Sequence, residues 1–332
     1  MFERILVTGG AGYVGHVLVP QLLEDGYNVT VYDTLYFGSL LPDHPRLKIV
    51  QGDIRDTKKL SDALQGIDAV IHLACISNDA SFQLDEALSK TINLDAFEPM
   101  VVAAKAAGVK RFIYASTSSV YGISDSDNVT EDHPLVPLTL YNKFKGMCEP
   151  LLFKHQTSDF VCTTIRPATI CGYSPRCRLD LTVNILTNHA VNKGRITVFG
   201  GAQKRPNLHI RDMVDAYRTF LTVADDKIAG DTFNCGYQNH TVMEIAEIVK
   251  STVEAEIPSI GKIDVDVTET DDNRSYHINS DKIARIVGFT PRRSIEDAVR
   301  ELCVAFREGK LPDSFDDDRY YNVRTMKALD AK

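Results

Sequence analysis

Short apolar runs alternate with amphipathic stretches through the first half of this 332-residue chain. Ile5-Leu6-Val7 is the first run, and a cluster of glycines ends it. Over 14–23 the apolar residues take helical spacing, with Pro20 inside, which removes one hydrogen bond and bends the helix. Residues 27–32 form a second strand and 47–54 a third with its exit. Residues 57–64 make a short amphipathic helix, with Leu60 and Leu64 on one face. Residues 69–74 are a fourth strand, apolar enough to be buried on both faces. A long helix over 86–107 carries Pro99, and 111–116 is a fifth strand. A helix over 141–154 with Pro150 inside precedes a sixth strand at 160–166. Such alternation predicts a parallel, doubly wound sheet with right-handed crossovers and ligands at the carboxyl ends of its strands.

After Pro167 the segments shorten and basic residues cluster at Arg176, Arg178, Lys204, Arg205 and Arg211. Residues 181–191 and 241–253 have helical spacing, and 263–267 alternates like an edge strand. Ile295–Arg307 is the last amphipathic helix. The tail from Pro312, with Asp316, Asp317 and Asp318, is expected to be exposed and mobile. There is no internal repeat and no low-complexity linker. Residues 1–167 are therefore expected to form one α/β domain to which later segments return. Residues 168–332 mainly build a smaller, interleaved α/β cap.

The glycine cluster changes the picture from fold to function. Gly9, Gly12 and Gly15 have the spacing G-x-x-G-x-x-G, immediately after a strand and before a helix that opens with Tyr13 and Val14. Gly9 allows a tight turn, Gly12 lets the backbone approach a pyrophosphate, and Gly15 lets the helix pack on its strand. The helix N-terminus offers free N–H groups to phosphate. The second strand ends in Asp33, whose carboxylate can accept hydrogen bonds from adenosine ribose hydroxyls and would repel a 2'-phosphate. No Arg or Lys follows Asp33 before Arg46, so the reading is a Rossmann-type domain for NAD rather than NADP.

Composition narrows the partners. Lys plus Arg number 37 against 45 for Asp plus Glu, a net charge of −8 that disfavours a broad nucleic-acid or anionic-membrane surface. Apolar residues reach 44%, enough for a sizeable core. The seven cysteines are scattered without a C-x-x-C, which suggests small buried thiols and neither a disulfide framework nor a metal site. The chain runs at once into its first strand and has no apolar run of membrane-spanning length, so a cytoplasmic protein without a signal peptide is expected.

Two stretches can carry chemistry. One is Ser116-Thr117-Ser118-Ser119 at the end of the fifth strand, and the other is Tyr141-Asn142-Lys143-Phe144-Lys145 at a helix start. Tyr141 and Lys145 share one helical face. An ammonium nearby favours a phenolate, so Lys145 and a cationic nicotinamide are expected to lower the pKa of Tyr141. Tyr141 could then act as general base on an alcohol or sugar hydroxyl, with Thr117 bonded to the same oxygen.

Taken together, these motifs resemble the extended short-chain dehydrogenase/reductases, in the NAD-dependent epimerase/dehydratase group acting on nucleotide sugars. Thr8 to Gly15 matches the family's T-G-x-x-G-x-x-G, Asp53-Ile54 its adenine-side pair, His72-Leu73-Ala74 its fourth strand, and Asn93 its mid-helix asparagine. Thr117, Tyr141 and Lys145 match its catalytic trio, and Arg166-Pro167 the strand end beside the nicotinamide. Arg205 ahead of His209-Ile210-Arg211-Asp212, and Arg274 near Tyr276, resemble the arginines that hold the nucleotide diphosphate. Gly288-Phe289-Thr290-Pro291 follows a later landmark. The resemblance implies a homodimer through a four-helix bundle, and Leu94, Phe97, Val101 and Ala104 give the first of the paired helices an apolar stripe. It also implies cofactor contacts from Leu73, Ala74, Ser116 and Pro167, and substrate contacts from Ser118, Ser119, Thr169, Arg176, Arg178, Asn184, Arg205 and Arg274.

Departures from the family pattern narrow the reaction. Its 4,6-dehydratases carry an Asp-Glu pair after the catalytic threonine, its decarboxylases a glutamate and its 3,5-epimerases a cysteine at the position of Ser119. Ser118-Ser119 fits none of these, which leaves redox at carbon 4, as a 4-epimerase or a 4-dehydrogenase. Thr169 stands where many members have asparagine. The run from Gly172 to Asn184 resembles bacterial polysaccharide enzymes that include GDP-heptose 4-dehydrogenases. A non-catalytic NAD-binding sensor is the rival from another class, and an intact Thr117, Tyr141 and Lys145 argue against it.

Overall fold

Ile5, Leu6 and Val7 are fully buried at the centre of the molecule, as a strand covered on both faces requires. The computed structural model describes residues 2–77, 79–124, 126, 128–270 and 275–329. The first half runs β1 (Arg4–Thr8), α1 (Gly15–Glu24), β2 (Asn28–Asp33), β3 (Leu47–Gln51), α2 (Thr57–Ala63), β4 (Ala69–His72), α3 (Asp79–Phe82) and α4 (Glu86–Lys90). It continues with α5 (Phe97–Ala106), β5 (Arg111–Ala115), α6 (Leu140–Phe153) and β6 (Val161–Pro167). The second half adds β7 (Thr169–Cys171), α7 (Thr182–Lys193), β8 (Arg195–Phe199), β9 (Lys204–His209), α8 (Ile210–Thr222) and β10 (Asp231–Cys235). It ends with β11 (Gln238–Thr241), α9 (Val242–Glu256), β12 (Asp264–Thr268), α10 (Asp281–Val287), α11 (Ile295–Arg307) and α12 (Asn322–Ala328).

A seven-stranded parallel sheet in the order β10-β6-β5-β4-β1-β2-β3 forms the Rossmann-like centre. Strand order reverses between β1 and β4, which opens a crevice at their carboxyl ends. On one face Leu18 and Leu22 of α1 pack with Met213, Tyr217 and Phe220 of α8. On the other face Leu60 of α2, Val101 and Ala104 of α5 and Leu152 of α6 close the core. β10 returns from the second half and pairs with β6, Asp231 opposite Thr163 through Cys235 opposite Pro167. The remaining strands form a three-stranded sheet, β11-β9-β7, and a parallel pair, β12-β8. Thr241 and Ser294 open α9 and α11 with capping boxes to Glu244 and Asp297.

Several expectations are corrected. The helix over 86–107 is broken into α4, a π-turn at Thr91–Asp95, and α5. Pro99 lies in the first turn of α5, where its ring and missing N–H disturb the bonding to the residues just before it. The chain answers with a wider turn closed by Ala96 N–H to the Thr91 carbonyl at 3.0 Å. Phe97, Val101 and Ala104 are buried against this chain's own sheet and α6, so these three are core and not a surface for a second subunit, while Leu94 is half-buried. All seven cysteines are free thiols, Cys75 half-buried and the rest buried. No helix among the described residues is long and apolar enough to cross a membrane.

The tail is corrected too. Leu311, Tyr320 and Tyr321 pack with Cys177, Leu179 and Leu302, and α12 follows. The Tyr321 hydroxyl donates to the Ser314 carbonyl at 2.8 Å, and Leu179 N–H donates to the Tyr320 carbonyl at 2.9 Å. The acidic run masked two aromatic side chains with somewhere to go. Tyr321→Ala should therefore lower stability by roughly 3 kcal/mol, near the low end for aromatic-to-alanine changes in cores. A shift of the urea midpoint measures this, and an unchanged midpoint would return the tail to the surface.

Candidate active site

The crevice at the switch point is a cleft of about 440 Å³. Its floor is the glycine turn. Gly9 has φ +70°, and a Cβ added there would lie 2.6 Å from Ala74 N. Any other residue would be strained twice over, by conformation and by contact. Gly12 donates its N–H to the Gly9 carbonyl at 3.0 Å, and an added Cβ would touch only that carbonyl oxygen, at 3.1 Å. Gly15 is required for a reason other than strand packing: a side chain there would strike the Gly10 backbone. Tyr13, Val14 and Gly15 line the cleft at the start of α1. The bare backbone cradle fits a dinucleotide's pyrophosphate on geometry alone.

Asp33 ends β2 on the cleft wall and is held by two backbone donors, Ala11 N–H at 3.0 Å and Leu35 N–H at 2.8 Å. Burial pushes its carboxyl above the ordinary aspartate value, against those two donors. Asp53 and Ile54 line the same end. Burial works to raise Asp53, but the Arg55 side chain, bonded at 2.6 and 3.0 Å, holds it below its ordinary value. Leu73 and Ala74 face the cleft, whereas Asn93 stands outside its lining. From the π-turn Asn93 accepts from Ile76 N–H and donates to the Ile76 carbonyl, both at 2.9 Å. It thereby fixes the loop after β4.

The opposite wall comes from β5, β6 and α6. Thr117, Ser118, Ser119, Tyr141, Lys145 and Pro167 all line it. Thr139 caps α6 by accepting from Asn142 N–H, and its hydroxyl donates to Asp79 at 2.5 Å. The cap sets Tyr141 in the first turn and Lys145 one turn on. Thr117 and Ser119 hydroxyls are 2.8 Å apart, and Ser119 donates to Asn142 at 2.5 Å. Ser116 lines the cleft but donates its hydroxyl to Glu149 at 2.7 Å, and Glu149 pairs with buried Arg166 at 2.6 Å.

Electrostatics here differ from the expectation. Burial pushes the Tyr141 phenol well above its ordinary value, and Cys75 and Asp79 add to this. Arg178 is the leading cation that opposes them. The Lys145 ammonium donates instead to the Ala115 carbonyl and lies 4.8 Å from the Tyr114 ring centre.

On the cap side, Thr169 and Arg205 line the cleft, Arg205 beside the ring of Tyr276. Arg176 and Arg178 are also on the wall. Asn184 is not; its amide is bonded to Tyr13, Gly172 and Arg178 behind the wall. Arg274 lies outside the described residues. Sequence reasoning missed Phe37, Ser77, Asn322 and Met326, which also face the cleft. Asn322 and Met326 come from the tail, where no local pattern points to a site.

A family model described as "NAD dependent epimerase/dehydratase family" matches residues 5–236. A UDP-glucose 4-epimerase from Lactobacillus helveticus is 29% identical over 321 residues, covering 89% of this chain and 94% of the epimerase. Among solved structures, MoeE5 in complex with UDP-glucuronic acid and NAD matches with a TM-score of 0.79 and 27% identity, over 92% of this chain and 100% of MoeE5. DesIV, a dTDP-glucose 4,6-dehydratase from Streptomyces venezuelae with NAD and TYD bound, matches with a TM-score of 0.81 and 26% identity, over 93% of this chain and 98% of its own. A likeness that spans the glycine cradle, the tyrosine helix and most of the cap settles the family: the chain belongs to the NAD-dependent epimerase/dehydratases of nucleotide sugars, with NAD as cofactor.

Proposed function

We propose that this enzyme oxidises carbon 4 of a nucleotide-activated sugar, either as a 4-epimerase or as a 4-dehydrogenase. The observation that carries the reading is the hydroxyl chain Thr117–Ser119–Asn142 beside Tyr141. It supplies hydrogen bonds to a reacting oxygen but no carboxylic acid where related dehydratases need one. The acidic residues among those described on the cleft wall are Asp33, Asp53 and Asp79. The first two stand at the far end with the glycine turn, and Asp79 is engaged by Thr139. The similarity to a UDP-glucose 4-epimerase and to MoeE5 bound to UDP-glucuronic acid agrees with such a substrate.

In this reading Tyr141 takes the proton from the 4-hydroxyl and Thr117 holds the same oxygen. Bound NAD supplies the hydride acceptor and a positive ring. Burial keeps Tyr141 protonated by itself, so the nearby cations are what make it a base. Lys145 also anchors the end of β5 through Ala115. Arg205 is proposed to bind the substrate's diphosphate, which suits a forked guanidinium.

A screen of GDP-, UDP-, dTDP- and CDP-sugars for a rise in NADH absorbance tests the reaction. Reduction of bound NAD by one of them is expected, and none by any would leave a binding protein. Tyr141→Phe and Lys145→Met should fold, bind NAD and lose a factor of about 10²–10⁴ in rate. Wild-type turnover in Tyr141→Phe would remove it as the base. Ser119→Ala should keep oxidation within about tenfold of wild type, under ~1.4 kcal/mol, because it transfers no proton. A thousandfold loss would give Ser119 a chemical role.

Asp33 generates a pH dependence. Its ionised form accepts the ribose hydroxyls of NAD, and its carboxyl pKa is raised. NAD affinity should therefore fall as pH drops through that raised value, before an ordinary aspartate would titrate. Asp33→Asn should bind NAD more weakly and without this acid limb. An affinity profile that calorimetry finds flat in the wild type over the acid range would contradict the ribose contact.

A further inference from the structure

The segment that carries Arg176 and Arg178 is held by the glycine turn itself. The Ser174 hydroxyl donates to the Tyr13 carbonyl at 2.8 Å, and the Tyr13 hydroxyl donates to the Gly172 carbonyl at 2.7 Å. Asn184 ties the other end by donating to Tyr13 at 3.1 Å and to the Arg178 carbonyl at 2.9 Å. Tyr13 stands between Gly12 and Val14, so the segment's position is set by the pyrophosphate cradle and not by the cap alone.

The two arginines are buried, 6% and 8% exposed, yet their surroundings differ. Arg178 is matched by Asp180, with Nε to Oδ1 at 2.9 Å and Nη2 to Oδ2 at 3.2 Å. Arg176 has no ion pair among the described residues. Its Nη2 donates to Asn322 Oδ1 at 2.5 Å, and its guanidinium lies 3.7 Å from the Phe37 ring centre. Its Nε is buried with no hydrogen-bond partner. Burial and the Arg178 charge work against its protonated form, and the charges of Asp180 and Asp33, which favour it, only partly offset them. A buried guanidinium without a direct ion pair is costly, and one placed on a cleft wall suits an anion.

Two diphosphates belong in a cleft of this family, one on the cofactor and one on the substrate. Position separates them. Phe37 follows Asp33 on the adenosine side, and Arg176 is close enough to Asp33 and His16 to shift both. Arg205, by contrast, is on β9 beside Tyr276. Asn322 completes the arrangement from α12: its side chain donates to Ser77 at 2.8 Å and its N–H to Asp180 at 3.1 Å.

We propose that Arg176, steadied by Asn322 of the C-terminal helix, binds the diphosphate of NAD opposite the glycine turn, and does not bind the diphosphate of the substrate. Arg178 and Asp180 are positioning residues that hold the segment in place. The C-terminal helix then forms one wall of the cofactor site, and losing its grip weakens the cofactor first. The proposal rests on NAD dependence and not on chemistry at carbon 4.

The test reads binding to the full chain, so its failure is separate from failure of the proposed reaction. Calorimetry would compare NAD, ADP and adenosine on the wild type, Arg176→Gln, Arg176→Lys and Asn322→Ala, with melting temperatures alongside. Arg176→Gln should weaken NAD and ADP by about 10–100-fold and leave adenosine unchanged. Its melting temperature without ligand should stay or rise, since a buried charge without a direct ion pair has gone, while the rise on adding NAD shrinks. Arg176→Lys should recover part of the affinity, and Asn322→Ala should lose less than Arg176→Gln. Were Arg176→Gln not to fold, the loss of ADP over adenosine in Asn322→Ala would carry the test. Unchanged NAD and ADP affinity overturns the proposal, as does equal weakening of adenosine. So does intact NAD binding with loss of UDP, GDP, dTDP or CDP at saturating NAD, or loss confined to NADP.

Discussion

The cleft depends on how closely two strand ends approach. Gly9 turns the chain out of β1 in a left-handed conformation, and the backbone after β4 lies against it with no room for a Cβ. β1 and β4 are the neighbours across which strand order reverses. Their contact brings the switch point down to backbone dimensions, a cradle whose N–H groups suit a phosphate. Asn93 holds the same loop from behind, and the π-turn that aims it is forced in part by Pro99. A proline that looks like a defect in a helix thus contributes to the shape of the site.

Burial sets the charges in that cleft. It pushes Tyr141 and Asp33 up and Arg176 down, each toward its neutral form. In the proposed complex, charge or hydrogen bonding that arrives with a ligand would oppose each shift. A diphosphate favours the guanidinium, ribose hydroxyls favour the carboxylate, and a cationic ring favours the phenolate. The buried pair of Arg166 and Glu149 is balanced within the protein and needs no ligand. It fixes Ser116 and with it the end of β5. On the proposed reading, the cleft separates side chains that hold it together from side chains whose charge a ligand would complete.

The central sheet was legible because its signals are local. Apolar runs, glycine spacing and the tyrosine–lysine pair each lie within a few residues, and the structure brings Thr117, Tyr141 and Lys145 to one wall. What was not legible is non-local. Asp231–Cys235 is too short and polar to announce itself, and only its pairing with β6 makes it a strand of the central sheet. α8 is a different case: Ile210, Met213, Val214, Tyr217, Phe220 and Leu221 carry the helical period within a stretch whose charged residues, Arg211, Asp212, Asp215 and Arg218, interrupt it. In the tail, composition misled, since three aspartates say nothing of Tyr320, Tyr321 or Asn322. The state of Tyr141 depends on desolvation, which no spacing reveals.

A nucleotide sugar carrying deuterium at carbon 4 gives the most direct measurement of the central claim. After single-turnover reaction with the enzyme, mass spectrometry of cofactor and sugar follows the label. Deuterium on the nicotinamide, or returned to carbon 4 of a sugar that keeps its 6-oxygen, is the result expected of Tyr141 acting beside Ser119. Deuterium delivered to carbon 6 of a product that has lost water would contradict it.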